Sequence, residues 1–443
     1  MTKKSIYNRD PLYLSEITKD IVIPQPYYAQ YPGTHCAFFG VAGMVPLVKN
    51  SCALLIGPEI CLFNAKLTIS LRALSSDPRP DNLLLLPISH DDIVFGSEKK
   101  VRKAILEVDN EYNPEILFVV TTCTQEIIGE DIDSVVADIQ HETKARLLVI
   151  HTENFTCQDL VPGIENTYLA LGRLMEHQPV KEGTVNILSL RIPKGRDTEL
   201  VNLIESRGIA VNSIIPSYCT PTEIAKAPAA QMNIVLEHHA LPLAQKMKEE
   251  FGTDFIYCER PYALESVAKW YQRIASVLDI NISEDINQLH IKAEEKMASL
   301  KEKMNGKTYA LGVIHGRVFD LALLLSDLGM MPVLFCIDRL YPDDYSDIKR
   351  LLDLGFDARV INGRNSLHMM ENLTELKPDF FIGFYNDTEE LSGLQIMERN
   401  LLFSQFKLGY ACIEEVLSLL DISPNGYKIL CYKEGYVRGF RGG

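Results

Sequence analysis

The chain has little that would suit it to nucleic acid, to a membrane or to an oxidising exterior. Lys and Arg number 44 against 59 Asp and Glu, a formal net charge of −15. So acidic a chain repels phosphate backbones and anionic lipid surfaces, whose recognition needs clustered cations, and neither nucleic acid nor membrane is expected as a partner. No run approaches the ~18 apolar residues of a spanning helix. The opening MTKKSIYNRDPLYLSEITKD holds no continuous apolar signal-peptide stretch. A cytoplasmic protein is the expectation. With 10 cysteines in 443 residues, the chain is too poor in sulfur for a disulfide scaffold, so metal ligation or plain burial must account for them. Neither G-x-G-x-x-G nor G-x-x-x-x-G-K-[ST] occurs. No nucleotide is therefore expected on this chain, and any ATP that drives its chemistry should be hydrolysed by another protein.

What is present is an ordinary globular composition, 47% hydrophobic and 23% charged, over a length that calls for several cores. From about Asn82, short β-rich runs alternate with amphipathic stretches, the pattern of mainly parallel sheets flanked by helices. The expected strands are Leu83–Pro87, Ile116–Thr121, Arg146–His151, Val185–Leu190, Met232–Leu236, Asp254–Tyr257, Tyr309–Ile314, Pro332–Ile337 and Asp379–Phe384. A polar segment HQPVKEGTV and a charged helical segment Ser283–Lys307 suggest boundaries. Three Rossmann-like α/β domains are expected: 1–182, 183–305 with the connecting helix, and 306–443.

Cys36 in PGTHCAFFGVAG, Cys61 in LIGPEICLF and Cys123 in FVVTTCTQEIIGEDI each stand beside small or turn-forming residues, which let a backbone approach a bulky ligand. Cys123 ends an apolar strand, the edge at which open α/β sheets place ligands. Soft thiolates suit iron, and a cluster needs about four of them, so three from one chain leave a place for a partner to fill. On spacing alone, three buried apolar thiols are an equally good account.

The run HCAFFGVAGMVPLVKNSCALLIGPEIC, then HDDIVFGSEKKVRKAI, then VVTTCTQEIIGEDI resembles the nitrogenase component 1 family. That family includes catalytic nitrogenase subunits, cofactor-maturing scaffold subunits, and reductases of tetrapyrrole and organosulfur substrates. The match is close over residues 30–165 and looser beyond. It implies three Rossmann-like domains, with Cys36, Cys61 and Cys123 ligating a [4Fe-4S] or larger P-cluster-like centre at a subunit interface. It also implies an identical or paralogous component 1 partner in a homodimer or heterotetramer, and an ATP-hydrolysing iron protein as electron donor. Gly57 and Pro58 would shape the turn that presents Cys61. Gly96 and Glu98, in the shared FGSEK segment, read as a tight turn and a helix start.

The resemblance also has a gap. Nitrogenase anchors a second, large metallocluster through a Cys at the end of a domain-two strand and a His near the C-terminal domain. In MNIVLEHHA the Cys position is Leu236, and YNDTEELSGLQIMERNLLFSQFKLGYACIEEVL has no His. If a second iron–sulfur metallocluster or a substrate binds, other residues must serve. His238 or His239 could ligate iron or move protons, though adjacent residues cannot both face one way on a helix. Cys258 and Cys157 each follow a strand and could offer a thiolate, Cys157 beside Pro162 and Gly163 in a loop that would close over a site. His315 and Arg317 occupy a strand-to-helix loop where an Arg fork suits an anionic cluster or carboxylate. A surface or capping residue is the plain alternative for the imidazoles and the Arg, and a buried thiol for the cysteines. Cys52, Cys336, Cys412 and Cys431 look like packing residues. The leading expectation is a nitrogenase-like reductase subunit acting on a substrate in a cavity among three domains. A scaffold for assembly of a nitrogenase-type metallocluster is the alternative, and the separations of 25 and 62 residues among the three cysteines suit it equally.

Overall fold

The fold is described from a computed structural model for residues 11–21, 23, 36–72, 82–152, 160–190, 195–313, 316–363, 365–383, 388–399 and 407–422. Three sheets carry it, all parallel except for one edge strand. Strand β1 (Leu12–Tyr13) is that exception, pairing antiparallel with Val360 and Arg359.

The first sheet holds β2 (Ser51–Gly57), β3 (Leu83–Pro87), β4 (Ile116–Thr121) and β5 (Arg146–Ile150) in the order β3-β2-β4-β5. Every residue of β2 and β4 is buried, as expected of central strands covered on both faces. In β4, Phe118 and Val120 join one core, while Leu117 and Val119 join another with Val101, Ile105, Ile132 and Val136. This alternation is the two-residue period of a strand. The helices of this region are α1 (Ala37–Met44), α2 (Glu59–Arg72), α3 (His90–Phe95), α4 (Glu98–Tyr112), α5 (Cys123–Ile128), α6 (Ile132–Ile139) and α7 (Val161–Gly172).

The second sheet holds β6 (Lys181–Leu190), β7 (Ala210–Pro216), β8 (Ala230–Val235) and β9 (Asp254–Tyr257) in the order β7-β6-β8-β9. The third runs β1-β12-β11-β10-β13-β14, with β10 (Thr308–Leu311), β11 (Met331–Ile337), β12 (Arg359–Asn362), β13 (Phe380–Ile382) and β14 (Met397–Arg399). In each sheet one strand has its successor on one side and a later strand on the other. That reversal opens a crevice at the carboxyl ends of the two strands flanking it: β2 and β4, β6 and β8, β10 and β13.

Strands β2–β5, β6–β9 and β10–β14 form separate sheets, with β1 joining the last, while compactness groups the chain into two units. Residues 27–196 and 209–257 form one unit, and 1–26, 197–208 and 258–443 another. Within the former, one apolar core runs from Phe118 and Leu148 of the first sheet to Leu188, Ile215 and Val235 of the second. No solvent layer separates the two sheets there.

Three expectations need adjusting. Strands β1, β2, β7, β12 and β14 were not anticipated. The helix foreseen at Ser283–Lys307 spans Ser283–Met304, with Ile291 exposed. Pro162 and Gly163 belong to the first turn of α7 and not to a closing loop. Proline is tolerated there because its missing N–H would be unbonded anyway, and Gly163 has a packing role. A Cβ on it would lie 1.7 Å from the carbonyl oxygen of Ala37, and one on Gly40 would lie 2.1 Å from that of Leu160. These two glycines let α1 and α7 touch backbone to backbone.

Candidate functional site

The first sheet's crevice lies between the ends of β2 and β4, and the two chain segments leaving it carry Cys61 and Cys123. After Gly57, Pro58 turns the chain into α2, and the Cys61 amide donates to the Pro58 carbonyl at 3.1 Å. After Thr121 and Thr122, Cys123 begins α5. The two exits are joined: the Thr122 hydroxyl donates to the Ile56 carbonyl at 3.0 Å, and a Cβ on Gly57 would lie 2.3 Å from Thr122 Oγ1. Only glycine leaves room for that threonine. Cys36 immediately precedes α1, the helix fixed to α7 by its glycine contact and also touching α2.

Exposure divides the cysteines. Cys36, Cys61 and Cys123 are half-buried, while Cys52, Cys219, Cys258, Cys336 and Cys412 are buried. Burial, and then the charge of Cys123, push the Cys61 thiol above its ordinary range. The pair is thus close enough for one thiolate to oppose the other, a penalty that a cationic metal would reverse. Among the described residues no group of three or more His, Cys, Asp or Glu side chains is arranged to hold a metal ion. Cys61 and Cys123 thus share one sheet edge, Cys36 precedes the neighbouring α1, and the three are not arranged as a ligand group within this chain. Soft thiols of this kind are donors that suit iron.

Polar bonds fix the ends of the Cys123 segment. Ser97 Oγ, just before α4, donates to Glu130 at 2.6 Å. His151, just after β5, has Nδ1 2.7 Å from Glu126 Oε1 and Nε2 2.7 Å from Asp133 Oδ2. The FGSEK segment thus acts through Ser97, which the sequence reading passed over, while Glu98 starts α4 as expected.

The helices that leave this edge of the sheet carry exposed apolar side chains: Ile60 and Phe63 in α2, Val94 and Phe95 in α3, and Ile127 in α5. Phe95 is 84% exposed and Phe63 64%. Large apolar side chains left in water on one sheet edge mark an interaction surface.

The other predicted residues fall elsewhere. His238 and His239 follow β8, at the second sheet's crevice, in a short turn His238–Ala240. His239 is buried, and His238 meets the Tyr257 ring edge-on at 6.1 Å. Leu236 is fully buried at the end of β8. Cys258 is buried, which raises its thiol, and its carbonyl accepts the Trp270 indole N–H at 2.9 Å. Arg317, beside the third sheet's crevice, is committed within its own domain. It binds both carboxylate oxygens of Asp347 at 2.7 and 2.9 Å and lies 3.6 Å from fully buried Asp320. Its fork answers these acids, so an external anion would have to compete with them. Asp347 and Asp320 lie too far along the sequence or too regularly in a helix to be recognised beforehand. Cys157 and His315 lie outside the described residues, as does Cys431.

Comparison with known proteins agrees with this architecture. Residues 36–413 match the family described as nitrogenase component 1 type oxidoreductase. The chain is 25% identical to the nitrogenase iron-molybdenum cofactor biosynthesis protein NifE of Methanococcus maripaludis, over 78% of this chain and 74% of that one. It is 26% identical to the nitrogenase molybdenum-iron protein alpha chain of Methanothermococcus thermolithotrophicus, over 78% and 76%. A solved structure titled nitrogenase Cp1 at pH 5 superposes with a TM-score of 0.75 at 20% identity, covering 94% of this chain and 92% of its own. Among the described residues no helix is long and apolar enough to cross a membrane. With the family match spanning most of its length and the fold alike throughout, the chain belongs to the nitrogenase component 1 type oxidoreductases.

Proposed function

We propose that this chain is the subunit of a nitrogenase-like reductase in which Cys36, Cys61 and Cys123 hold an iron–sulfur cluster against a second component 1 subunit. The observation that carries the reading is the half-exposed Cys61 and Cys123 pair at the β2/β4 crevice, inside a rim of exposed apolar side chains. When bound there, such a cluster supplies one-electron transfer. The chain's own part is to hold thiolates at fixed positions on a parallel sheet and to exclude water through the apolar rim once a partner covers it. Electrons would come from an ATP-hydrolysing iron protein docking on the assembled surface.

The test is Cys123→Ala in the full-length protein, purified anaerobically, with iron content and the cluster's electronic and paramagnetic spectra as readouts. Loss of most of the iron is expected. A variant with the parent's iron and spectra would remove Cys123 from the site.

A scaffold that holds a maturing metallocluster is the second reading, favoured by the printed function of the biosynthetic relatives. Leu236, fully buried at the position of nitrogenase's anchoring Cys, tells against the usual cofactor in either reading. Turnover of a small substrate with iron protein and ATP supports the reductase. Release of a metallocluster to an acceptor without turnover supports the scaffold.

A further inference from the structure

His151 and its two carboxylate partners lie outside the thiol site and have no role in it so far. Nδ1 lies 2.7 Å from Glu126 Oε1 and Nε2 lies 2.7 Å from Asp133 Oδ2. Ionised carboxylates only accept, so both contacts are hydrogen bonds only when both ring nitrogens carry protons. When doubly protonated, the ring bridges α5 to α6 from just after β5. Glu126 lies three residues after Cys123, on the same side of α5 by helical spacing, and also accepts the Thr121 hydroxyl. Helix α5 has only six residues, too few to hold itself in place without tertiary contacts.

We propose that His151 is a positioning residue for Cys123: as a doubly bonded cation it fixes α5 against the sheet, and losing its proton releases the Cys123 thiolate from its set orientation.

Among the described residues, the groups facing the ring are Glu126 from α5, Asp133 from α6 and the Thr121 hydroxyl of β4, 3.5 Å from Nδ1, while α7 supplies the neutral Asn166, which donates to the His151 carbonyl at 3.3 Å. Burial by itself favours the neutral ring, but bonds and charges from Glu126, then Asp133, outweigh it and raise the His151 pKa. A group whose pKa rises on folding contributes its stability below the unfolded value and loses it as pH climbs through the folded one. The clamp should therefore open on the alkaline side of an ordinary histidine titration. Asp133 is largely exposed, so Glu126 should carry most of the effect.

The inference concerns Cys123 as the thiolate assigned above, yet its test does not need bound iron. In full-length iron-free protein, the alkylation rate of Cys123 relative to Cys61 is followed by peptide mass spectrometry across neutral and alkaline pH. The parent should show a rise in that ratio through one alkaline step. His151→Leu should show the raised ratio at every pH, Glu126→Gln a partial rise at neutral pH, and Asp133→Asn little change. Should His151→Leu fail to fold, Glu126→Gln still decides, because it keeps shape and acceptor while removing the charge. In iron-loaded protein the same variants should broaden or shift the paramagnetic spectrum without loss of iron. Ratios that match the parent's in both His151→Leu and Glu126→Gln at all pH values would overturn the proposal. Absence of iron from the parent would overturn the cluster reading and leave the alkylation result to decide this one.

Discussion

Thr122 donates its hydroxyl to the carbonyl of Ile56 at 3.0 Å, joining the strand end that leads to Cys61 to the strand end that leads to Cys123. Each of these two strands is hydrogen-bonded to the other along its length. The spacing of the two sulfurs is thus set by a sheet and one side-chain bond, with Gly57 leaving the space in which Thr122 sits.

Gly57→Ala should disturb that join. Its Cβ would lie 2.3 Å from Thr122 Oγ1 and 2.8 Å from Cγ2, and a β-branched side chain in a hydrogen bond has no easy rotamer to retreat to. A loss of about 1–3 kcal/mol in stability is expected, with lower iron retention. Chemical denaturation and iron per chain measure both. A parental midpoint would mean that the two strand ends separate freely.

Removing Cys123 should make Cys61 more acidic. Burial is the larger reason for the raised Cys61 thiol and the Cys123 charge the next, so Cys123→Ala removes only the second. At a fixed, mildly alkaline pH, Cys61 in the iron-free variant should react faster with an alkylating reagent than in the parent. An unchanged rate would mean that the two sulfurs do not interact.

Phe95→Ser should impair partner binding and spare the fold. The side chain is 84% exposed, and changes at such positions usually alter stability by less than about 0.5 kcal/mol. Thermal unfolding should be unaltered, while sedimentation should show weakened association with a component 1 partner or the iron protein. Parental association would remove the apolar rim from the interface.

Asp344→Asn should stabilise the protein near neutral and mildly alkaline pH. Burial pushes the Asp344 carboxyl up to about 8; the Tyr341 amide opposes this, while the charges of Glu259 and Asp347 add to it. The folded chain then keeps a proton that the unfolded chain releases, so stability falls as pH climbs from the ordinary carboxylate range to about 8. The variant keeps the acceptor for Tyr341, which bonds at 2.8 Å, and avoids the buried charge. A gain of about 1–3 kcal/mol is expected at pH 8, disappearing near pH 4. An equal gain at both pH values would exclude ionisation as its cause.

Much of the fold was legible because alternating and helical hydrophobic periods report burial locally. Asp254–Tyr257 and Ile116–Thr121 were read to the residue. Strand β2 was missed although all its residues are apolar or small and buried. An unbroken run of small and apolar residues that includes Cys52, it offered no alternation of apolar and polar residues to mark it. Cys61, read as a loop residue, stands within the first turn of α2, because a helix start and a ligand loop share the same Gly-Pro signal. The half-buried state of three cysteines against the burial of the other five described ones was not legible at all, since exposure depends on chain that lies far away in sequence. Arg317 shows the same limit from the other side. Its position at a strand-to-helix loop suggested a free cation, and Asp347, thirty residues on, is what answers it.

By itself the sequence determined the composition of this fold, the helices and strands in their order, and the three sulfur atoms beside small residues, because backbone preference and hydrophobic period act over a few neighbours. Only the tertiary structure decided the strand order that reverses between β2 and β4, the electrostatic coupling of Cys61 to Cys123, and the placement of His151 between Glu126 and Asp133. These are relations between residues brought together by burial, where charge and desolvation act through space and not along the chain.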